Sequence, residues 1–271
     1  MGVTRRAVLK TLLATGVGSV SGSGAYGFMY GRHELSITRE NVAISALPPG
    51  LGGLRIGLIT DVHRSRLVAH EDVARAVALL MSEHPDLIVL GGDYVTWGDR
   101  KYVAPAAEAL AGLSAPLGVH AILGNHDDDH DMPLALGKNG VHVLKDARTR
   151  LTIRNEPVDL VGIRFWTKRP SDIAPLLRGA APSTILLAHD PRRLVEATAL
   201  NVPLVLAGHT HGGQVVLPVV GAVAAQKFPV VWGLARRERT TMFVSRGIGT
   251  IYVPVRINCP PEVAVLTLQP A

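Results

Sequence analysis

Cysteine is almost absent from this sequence: Cys259 is the single one among 271 residues, so no disulfide can form within the chain. Charged residues make up 18% and aromatic residues 4%, whereas hydrophobic residues reach 47%. A chain so poor in charge can bury a core, which excludes intrinsic disorder, and no internal repeat or low-complexity tract interrupts it. The length and the 28 glycines indicate one large, tightly turned α/β domain.

A dense basic surface is also lacking. The formal net charge is +6, but Arg5, Arg6 and Lys10 supply three of these charges within the first ten residues. No later segment combines a basic run with interleaved aromatic residues, and Arg236-Arg237-Glu238-Arg239 is expected to be a solvated loop. We therefore predict no nucleic-acid-binding surface.

The N-terminal residues have the pattern of a targeting segment. Thr4–Lys10 resembles the bacterial twin-arginine export signal, except that Val8 stands where Phe is common. An apolar stretch without acidic residues follows from Thr11 to about Tyr30, and its glycines argue against a stable helix packed on the domain.

Residues 1–30 are accordingly predicted to be an export signal, either cleaved near Ser23-Gly24-Ala25 or kept as a membrane anchor. An ordinary basic N-terminal helix is the alternative. The resemblance implies passage through the twin-arginine export machinery to the periplasm, or to the outer face of the cytoplasmic membrane or cell wall. Residues 31–53 are interpreted as a lead-in segment before a domain that spans 54–271.

Apolar runs and helical patterns alternate from Leu54 onward. The predicted helices are 71–84, 105–113, 171–178 and 192–200. The predicted strands are 54–60, 86–90, 119–123, 141–144, 149–154, 158–163, 184–188, 203–207, 242–245 and 263–268. The last two strands are expected to complete a second sheet.

Metal-ligand side chains recur where these strands end. Since ligands in open α/β sheets collect at the carboxyl ends of strands, we expect one rim to gather the following residues: Asp61, His63, Asp93, Asn125, His126, His189, His209 and His211. The most distinctive element is Gly208-His209-Thr210-His211-Gly212-Gly213, in which glycines flank two nitrogen ligands. Each element alone could be an ordinary turn or cap, but turn chemistry does not call for a histidine at so many strand ends.

Taken in order, Asp61-Val62-His63, Gly92-Asp93, Gly124-Asn125-His126-Asp127, His189 and Gly208-His209-Thr210-His211 resemble the signature of the calcineurin-like metallophosphoesterase superfamily. The resemblance covers residues 54 to about 215. It implies a four-layer α-β-β-α sandwich with two mixed central sheets and a dimetal site at the carboxyl-terminal rim of the strands. The segments 208–218 and 260–262 resemble the exported bacterial branch of small phosphodiesterases.

The resemblance implies that Asp61, His63 and His211 bind one divalent ion and that Asn125, His189 and His209 bind another. Asp93 would bridge the two ions. A mixture of carboxylate, imidazole and amide ligands suits Mn²⁺, Fe or Zn²⁺ and disfavours Ca²⁺.

The same resemblance implies hydrolysis of a phosphate ester by a hydroxide that bridges the two ions. His126, as imidazolium, would protonate the departing oxygen or stabilise its charge, and Asp127 would orient His126 by accepting its other ring proton. The acidic stretch after Asp127, up to Asp131, is expected to be solvated, with an additional cation site as the alternative.

The location predicted from the N-terminal segment favours a phosphodiesterase that acts on a lipid or wall-polymer phosphate of the cell envelope. A phosphomonoesterase or nucleotide pyrophosphatase with the same metal centre is the alternative enzyme, and a non-catalytic metal-binding interaction module is the alternative of another class. Arg64 and Arg246 could contact a substrate phosphate, with ordinary surface placement as the other interpretation. Ile163-Arg164-Phe165-Trp166 differs from the acidic sequence common in exported relatives.

Overall fold

Two mixed, six-stranded sheets form the centre of the computed structural model, which describes residues 18, 21–45 and 47–271. The first sheet has the order β1-β14-β2-β3-β4-β5 and the second β12-β13-β9-β8-β7-β6. The strands of the first sheet are β1 (Ser36–Ile44), β2 (Arg55–Ile59), β3 (Leu87–Leu90), β4 (Val119–Ala121), β5 (His142–Val143) and β14 (Glu262–Pro270). Those of the second are β6 (Ala147–Ile153), β7 (Glu156–Gly162), β8 (Ile185–Leu187), β9 (Leu204–Ala207), β12 (Gly233–Arg237) and β13 (Thr240–Val244).

Helices cover the outer face of each sheet. They are α2 (His70–Met81), α3 (Val103–Ala109) and α4 (Asp131–Gly137) on the first sheet, and α5 (Pro170–Leu177) and α6 (Leu194–Ala199) on the second. A short hairpin, β10 (Val216–Leu217) and β11 (Gly221–Ala222), stands apart from both sheets. The helices and sheets form the predicted α-β-β-α sandwich, so the fold class is confirmed.

The alternation of side chains along the strands explains the layers. In β9, Leu204 and Leu206 pack between the two sheets, whereas Val205 and Ala207 face the helices of the second sheet. Because both faces of the central strands are buried, these strands read as continuous apolar runs rather than as an alternating pattern.

The last strand lies in a different sheet from the one expected. The prediction that 242–245 joins the second sheet is confirmed, since β13 pairs in parallel with β9. The prediction for 263–268 is wrong: β14 pairs with β1 and β2 in the first sheet. The segment 31–53 accordingly contributes β1, an edge strand whose register joins Ser36 to Glu262 and Ile44 to Pro270.

Two loop predictions also change. Arg236 and Arg237 form the end of edge strand β12, opposite Thr241 and Thr240, rather than a free loop. The acidic stretch leads directly into helix α4, which begins at Asp131.

The described part of the N-terminal segment contains a helix, α1 (21–29). Its Gly27 lies against Val255 and Arg256, where a Cβ would overlap both. The glycines of this segment were expected to prevent a helix from packing on the domain, but Gly27 permits it. Thr4–Lys10, which carries the predicted export signal, falls outside the described residues. Within the described residues, no helix combines the length and apolarity that crossing a membrane requires.

Candidate metal centre

The eight polar side chains predicted at strand ends meet on one rim. Parallel strands end at the same edge, so β2, β3 and β4 deliver Asp61, His63, Asp93, Asn125 and His126 from the first sheet, and β8 and β9 deliver His189, His209 and His211 from the second. The side chains form two clusters of potential metal ligands. In each cluster, three ligand atoms lie within 4.8 Å of one another.

The inner group consists of Asp61, His63 and His211, all of which are buried. The Nε2 atoms of His63 and His211 are 3.2 Å apart, and Nε2 of His211 lies 3.4 Å from Oδ1 of Asp61. Two imidazole nitrogens and a carboxylate oxygen therefore converge at a buried position, an arrangement that a cation would stabilise.

The outer group consists of Asp93, His189 and His209, the last of which is partly exposed. Oδ2 of Asp93 lies 3.0 Å from Nε2 of His189 and 3.7 Å from Nε2 of His63. Asp93 is therefore positioned between the two groups, as a bridging ligand would be.

Asn125 adds an independent indication. Its Oδ1 is buried and has no hydrogen-bond partner, although Asn125 lines the same cavity as Asp93 and His209. An unpaired buried amide oxygen is costly unless it has a ligand. The donor set and this oxygen together fit two divalent cations.

Backbone strain is concentrated at these ligands. Five of them have positive φ: Asp61 (52°), His63 (46°), Asp93 (58°), His209 (72°) and His211 (51°). Non-glycine residues rarely adopt the left-handed region, and such residues cluster at functional sites.

Glycines make room for the carboxylates. A Cβ on Gly124 would overlap the carboxylate of Asp93, and one on Gly208 would overlap that of Asp61. The loops after β4 and β9 can thus approach the carboxylates closely, and the His209 N–H donates to both oxygens of Asp61 at 3.0 Å. This contact joins the rims of the two sheets.

The electrostatics of the buried groups favour added positive charge. Burial raises the pKa of Asp61 to about 6, and burial lowers the pKa of His63 to about 4. Burial also lowers the pKa of His189, but the carboxylates of Asp93 and Asp61 outweigh it and raise that pKa to about 10. A proton on His189 and a divalent cation would therefore compete for the same negative potential.

Hydrogen bonds orient the ligand histidines. Nδ1 of His189 donates to the carbonyl oxygen of Gly91 at 2.7 Å, so Nε2 is the nitrogen that faces Asp93 and would bind a metal once its proton is displaced. Nδ1 of His63 lies 3.0 Å from Oγ1 of Thr96, again leaving Nε2 directed at the site.

His126 lies beside the ligands without belonging to either group. It is buried, its ring centroid is 5.2 Å from that of His63, and it lines the cavity with Asp93 and Asn125. The backbone N–H of Trp97 donates to Nδ1 of His126 at 3.1 Å. Nδ1 therefore carries no proton, and the neutral ring carries its proton on Nε2. The expected imidazolium form is disfavoured, in keeping with a pKa that burial lowers.

The role expected for Asp127 is wrong. Its carboxylate accepts the backbone N–H groups of Asp93 (2.7 Å), Tyr94 (2.7 Å) and Gly124 (2.8 Å), and the second ring nitrogen of His126 is bound by Trp97 instead. Asp127 thus fixes the turns that carry the metal ligands. The position of Asp127 directly after His126 in the sequence does not indicate that backbone N–H groups occupy its carboxylate.

The acidic residues after Asp127 are engaged in ion pairs rather than simply solvated. Arg100 lies 3.4 Å from Asp128 and 3.1 Å from Asp131, and Arg164 lies 3.2 Å from Asp129. These arginines supply the positive charge that an additional cation would otherwise provide.

Two cavities adjoin at the metal centre. One has a volume of 270 Å³ and is bordered by His126, His209, Lys227, Phe228 and Tyr252. The other has a volume of 480 Å³ and is bordered by Arg164, Phe165 and Trp166. Asn125 is the one proposed ligand that lines both, so the two cavities meet at its side chain.

The two arginines considered for phosphate binding border neither cavity. Arg246 forms an ion pair with Glu262 at 2.6 Å, and Arg64 donates to the carbonyl oxygens of Ser65 and Val68. Arg164, noted in the sequence only as a departure from related proteins, is the arginine that does border a cavity.

Arg256 is a supporting residue that the sequence pattern did not reveal. It is 1% exposed, and its guanidinium donates to the carbonyl oxygens of Gly249 (2.6 Å), Arg246 (2.8 Å) and Cys259 (3.2 Å). It also lies 3.4 Å from the carbonyl oxygen of His211. Arg256 therefore holds together the backbone beneath the inner group.

Comparison with known proteins agrees with this geometry. A family model described as calcineurin-like phosphoesterase matches residues 54–213. The chain is 29% identical to the uncharacterized metallophosphoesterase YkuE of Bacillus subtilis over 98% of both chains. It is 30% identical to the phosphodiesterase YaeI of Escherichia coli, over 98% of this chain and 99% of that protein.

Among solved structures, the NAD nucleotidase of Haemophilus influenzae has a TM-score of 0.51 at 15% identity, and the match covers 72% of this chain. The match spans 45% of that longer protein, so the likeness shows a shared fold.

The two-sheet sandwich with paired ligand groups at its rim defines a metallophosphoesterase. The chain belongs to the calcineurin-like phosphoesterase family and is a metal-dependent phosphoester hydrolase.

Proposed function

We propose that the protein is a dimetal phosphodiesterase. Asp61, His63 and His211 would hold one ion, and Asn125, His189 and His209 the other, with Asp93 shared. The ligand chemistry suits Mn²⁺, Fe or Zn²⁺. Two ions held by these residues would supply an activated water and positive charge opposite the phosphoryl oxygens.

The junction of two cavities at Asn125 carries the assignment to a diester. A phosphodiester has an organic group on each side of phosphorus, and the 270 Å³ and 480 Å³ cavities provide space for both. A monoester would occupy only one of them. The relative YaeI, named a phosphodiesterase, supports the same reaction class.

His126 would stabilise the departing oxygen. Because the Trp97 N–H binds Nδ1, the proton on Nε2 is available for donation at the cavity. A preorganised donor to a developing oxyanion is typically worth about 10²–10³ in turnover.

The test uses protein reconstituted separately with Mn²⁺, Fe²⁺ and Zn²⁺ and a panel of diester, monoester and pyrophosphate substrates. We expect diesters to be preferred, and His126→Ala to lower kcat by about 10²–10³ with two ions still bound. His142→Ala, a histidine far from the site on β5, is the matched control and should keep full activity.

Two results would contradict the proposal. A preference for monoesters or pyrophosphates would indicate the alternative hydrolases with the same centre. Equal diester hydrolysis by the unaltered protein and Asp93→Ala would mean that the activity is a contaminant, and it would favour a metal-binding interaction module.

We further propose that the chain is exported by the twin-arginine route and acts on a lipid or wall-polymer phosphate of the cell envelope. Thr4–Lys10 and the apolar residues that follow it support this location. Residues 1–30 fused to a reporter should direct its export, and Arg5→Lys with Arg6→Lys should abolish it. Export of both fusions alike would contradict the route.

A further inference from the structure

Large apolar side chains are exposed around the mouth of the 270 Å³ cavity. Val219, Val220 and Val223 protrude from the β10–β11 hairpin, and Tyr252 and Val253 protrude from the loop before β14. We call these five residues the apolar rim. Tyr252 is 80% exposed, and Ala224 and Ala225, next to Val223, line the cavity itself.

The hairpin and the loop form one continuous surface. The side-chain nitrogen of Gln214 donates to the carbonyl oxygen of Ile251 at 2.9 Å, and the Val216 N–H donates to that of Ile257 at 3.0 Å. Exposed Trp97 extends the surface on the other side, with its ring centroid 5.6 Å from that of Tyr252 and 4.5 Å from that of His126. The apolar rim therefore directly borders the metal centre.

Charge distinguishes this surface from the rest of the molecule. Lys227 is the single charged residue in 212–232, and 247–255 contains none. Neither segment has an acidic side chain that would be repelled by anionic lipid.

The beginning of the described chain lies against the same surface. The Arg256 N–H donates to the carbonyl oxygen of Gly27 at 3.2 Å, and Phe28 and Met29 of α1 and the following Tyr30 are exposed. Exposed apolar side chains with a lysine, Lys227, and no acidic residue beside them are typical of surfaces that bind the interface of an anionic bilayer.

The shape of the apolar rim suits a deformable partner. Val219, with φ of 68°, is fully exposed at the hairpin tip and is followed by exposed Val220. A protruding tip can insert between lipid headgroups, whereas a rigid protein would need a matching depression.

We propose that the apolar rim docks on an anionic lipid bilayer and turns the mouth of the metal centre towards the headgroups. Phosphodiesters of membrane amphiphiles would then reach the site from the bilayer plane. The docking is independent of catalysis, whereas this choice of substrate rests on the proposed phosphodiesterase function.

A probe at the hairpin tip tests the docking directly. Cys259 is buried, so Val219→Cys offers a single accessible thiol for an environment-sensitive fluorophore. Ser82→Cys, exposed after α2 at the opposite edge of the first sheet, is the matched control. With vesicles of phosphatidylglycerol and phosphatidylethanolamine, we expect a blue shift of the probe at 219 and none at 82.

If the protein sediments with vesicles but the probes at 219 and 82 have equal emission, the docking is overturned, because another surface then binds the lipid. A shift at 219 that depends on protein concentration and not on lipid would also overturn it and assign the surface to a second copy of the chain.

A charged tip provides the second test. Val219→Glu with Val220→Glu should lower vesicle affinity tenfold or more, because two valines lose apolar burial. Turnover of a water-soluble diester should change less than twofold, while turnover of a diester embedded in vesicles should fall with binding. Unchanged vesicle affinity would overturn the docking.

Asp93→Ala separates the membrane docking from the proposed phosphodiesterase function. It should lose hydrolysis and keep the shift of the probe at 219. If the unaltered protein shifts the probe but hydrolyses no diester, the docking stands and the proposed function fails.

Discussion

The inner and outer ligand groups share one rim but differ in their surroundings. The inner group is buried and supported by Arg256, and only its His211 lines the cavity that contains His126, whereas the outer group includes partly exposed His209 and borders that cavity with both Asp93 and His209. His209 and His211 are two residues apart, yet they belong to different groups. From this difference we predict that an ion at the inner group contributes more to stability and that an ion at the outer group is closer to the substrate.

The largest expected effect comes from removing one ligand of each group. His211→Ala and His209→Ala should each leave one ion bound and lower kcat by about 10³-fold or more, because each ion supplies several kcal/mol of transition-state stabilisation. Only His211→Ala should also lower the melting temperature markedly. Metal analysis and calorimetry on both variants would check this, and identical melting temperatures would remove the distinction between the groups.

The next effect concerns the support beneath the inner group. Arg256→Met leaves several buried carbonyl oxygens without a donor, so the free energy of unfolding should fall by about 3 kcal/mol. Arg75→Met, which removes an exposed arginine paired with Asp72, is the control and should cost less than about 1 kcal/mol. Denaturant unfolding measures both, and equal losses would mean that Arg256 has no special role.

Removal of one bound ion should have a similar or slightly smaller effect. Each ion present at 100 times its dissociation constant stabilises the folded state by about 2.7 kcal/mol, or roughly 5–10 °C in a domain of this size, and chelation of both ions should cost about twice that. The melting temperature should therefore fall by about that amount and recover with added metal. Asp93→Ala, which lacks the shared ligand, should respond less, and an equal response would contradict the bridging position.

The smallest expected effect concerns Asp159, a buried carboxylate outside the metal centre whose partner is an arginine rather than a metal ion. Burial alone raises the pKa of Asp159, but hydrogen bonds from Arg150 and the Ala181 N–H outweigh it and hold that pKa below its usual value. Its stabilisation is present above the unfolded pKa of about 3.9 and is lost as pH falls through the lower folded pKa. Asp159→Asn should thus destabilise near neutral pH but not in strong acid.

Chelator should leave the cost of Asp159→Asn unchanged, because the partner is an arginine. A cost that grows when metal is removed would show that the two sites are coupled. Melting curves from neutral pH into strong acid, with and without chelator, make the measurement.

The apolar runs that end in polar residues predicted the positions of the central strands, and the family resemblance carried by those polar residues implied the fold class. The sequence pattern missed β1, in which Arg39, Glu40 and Asn41 interrupt the apolar pattern and whose partner β14 lies more than two hundred residues away. It placed β14 in the wrong sheet, because strand pairing depends on contacts that a local pattern does not contain. It missed α4 because clustered aspartates predict a loop.

The sequence by itself determined which side chains could bind metal, since strand ends in an α/β fold converge and Asp, His and Asn are the available donors. The division of these ligands into two groups was already implied by the family resemblance, and the structure agrees with it. Only the tertiary structure decided that Asp127 binds backbone N–H groups instead of His126 and that Arg256 lies beneath the site. These are relations between atoms on different loops, set by close packing of both sheets at one rim. The order of residues along the chain does not predict these contacts, because residues that are neighbours in the site are separated by long stretches of chain.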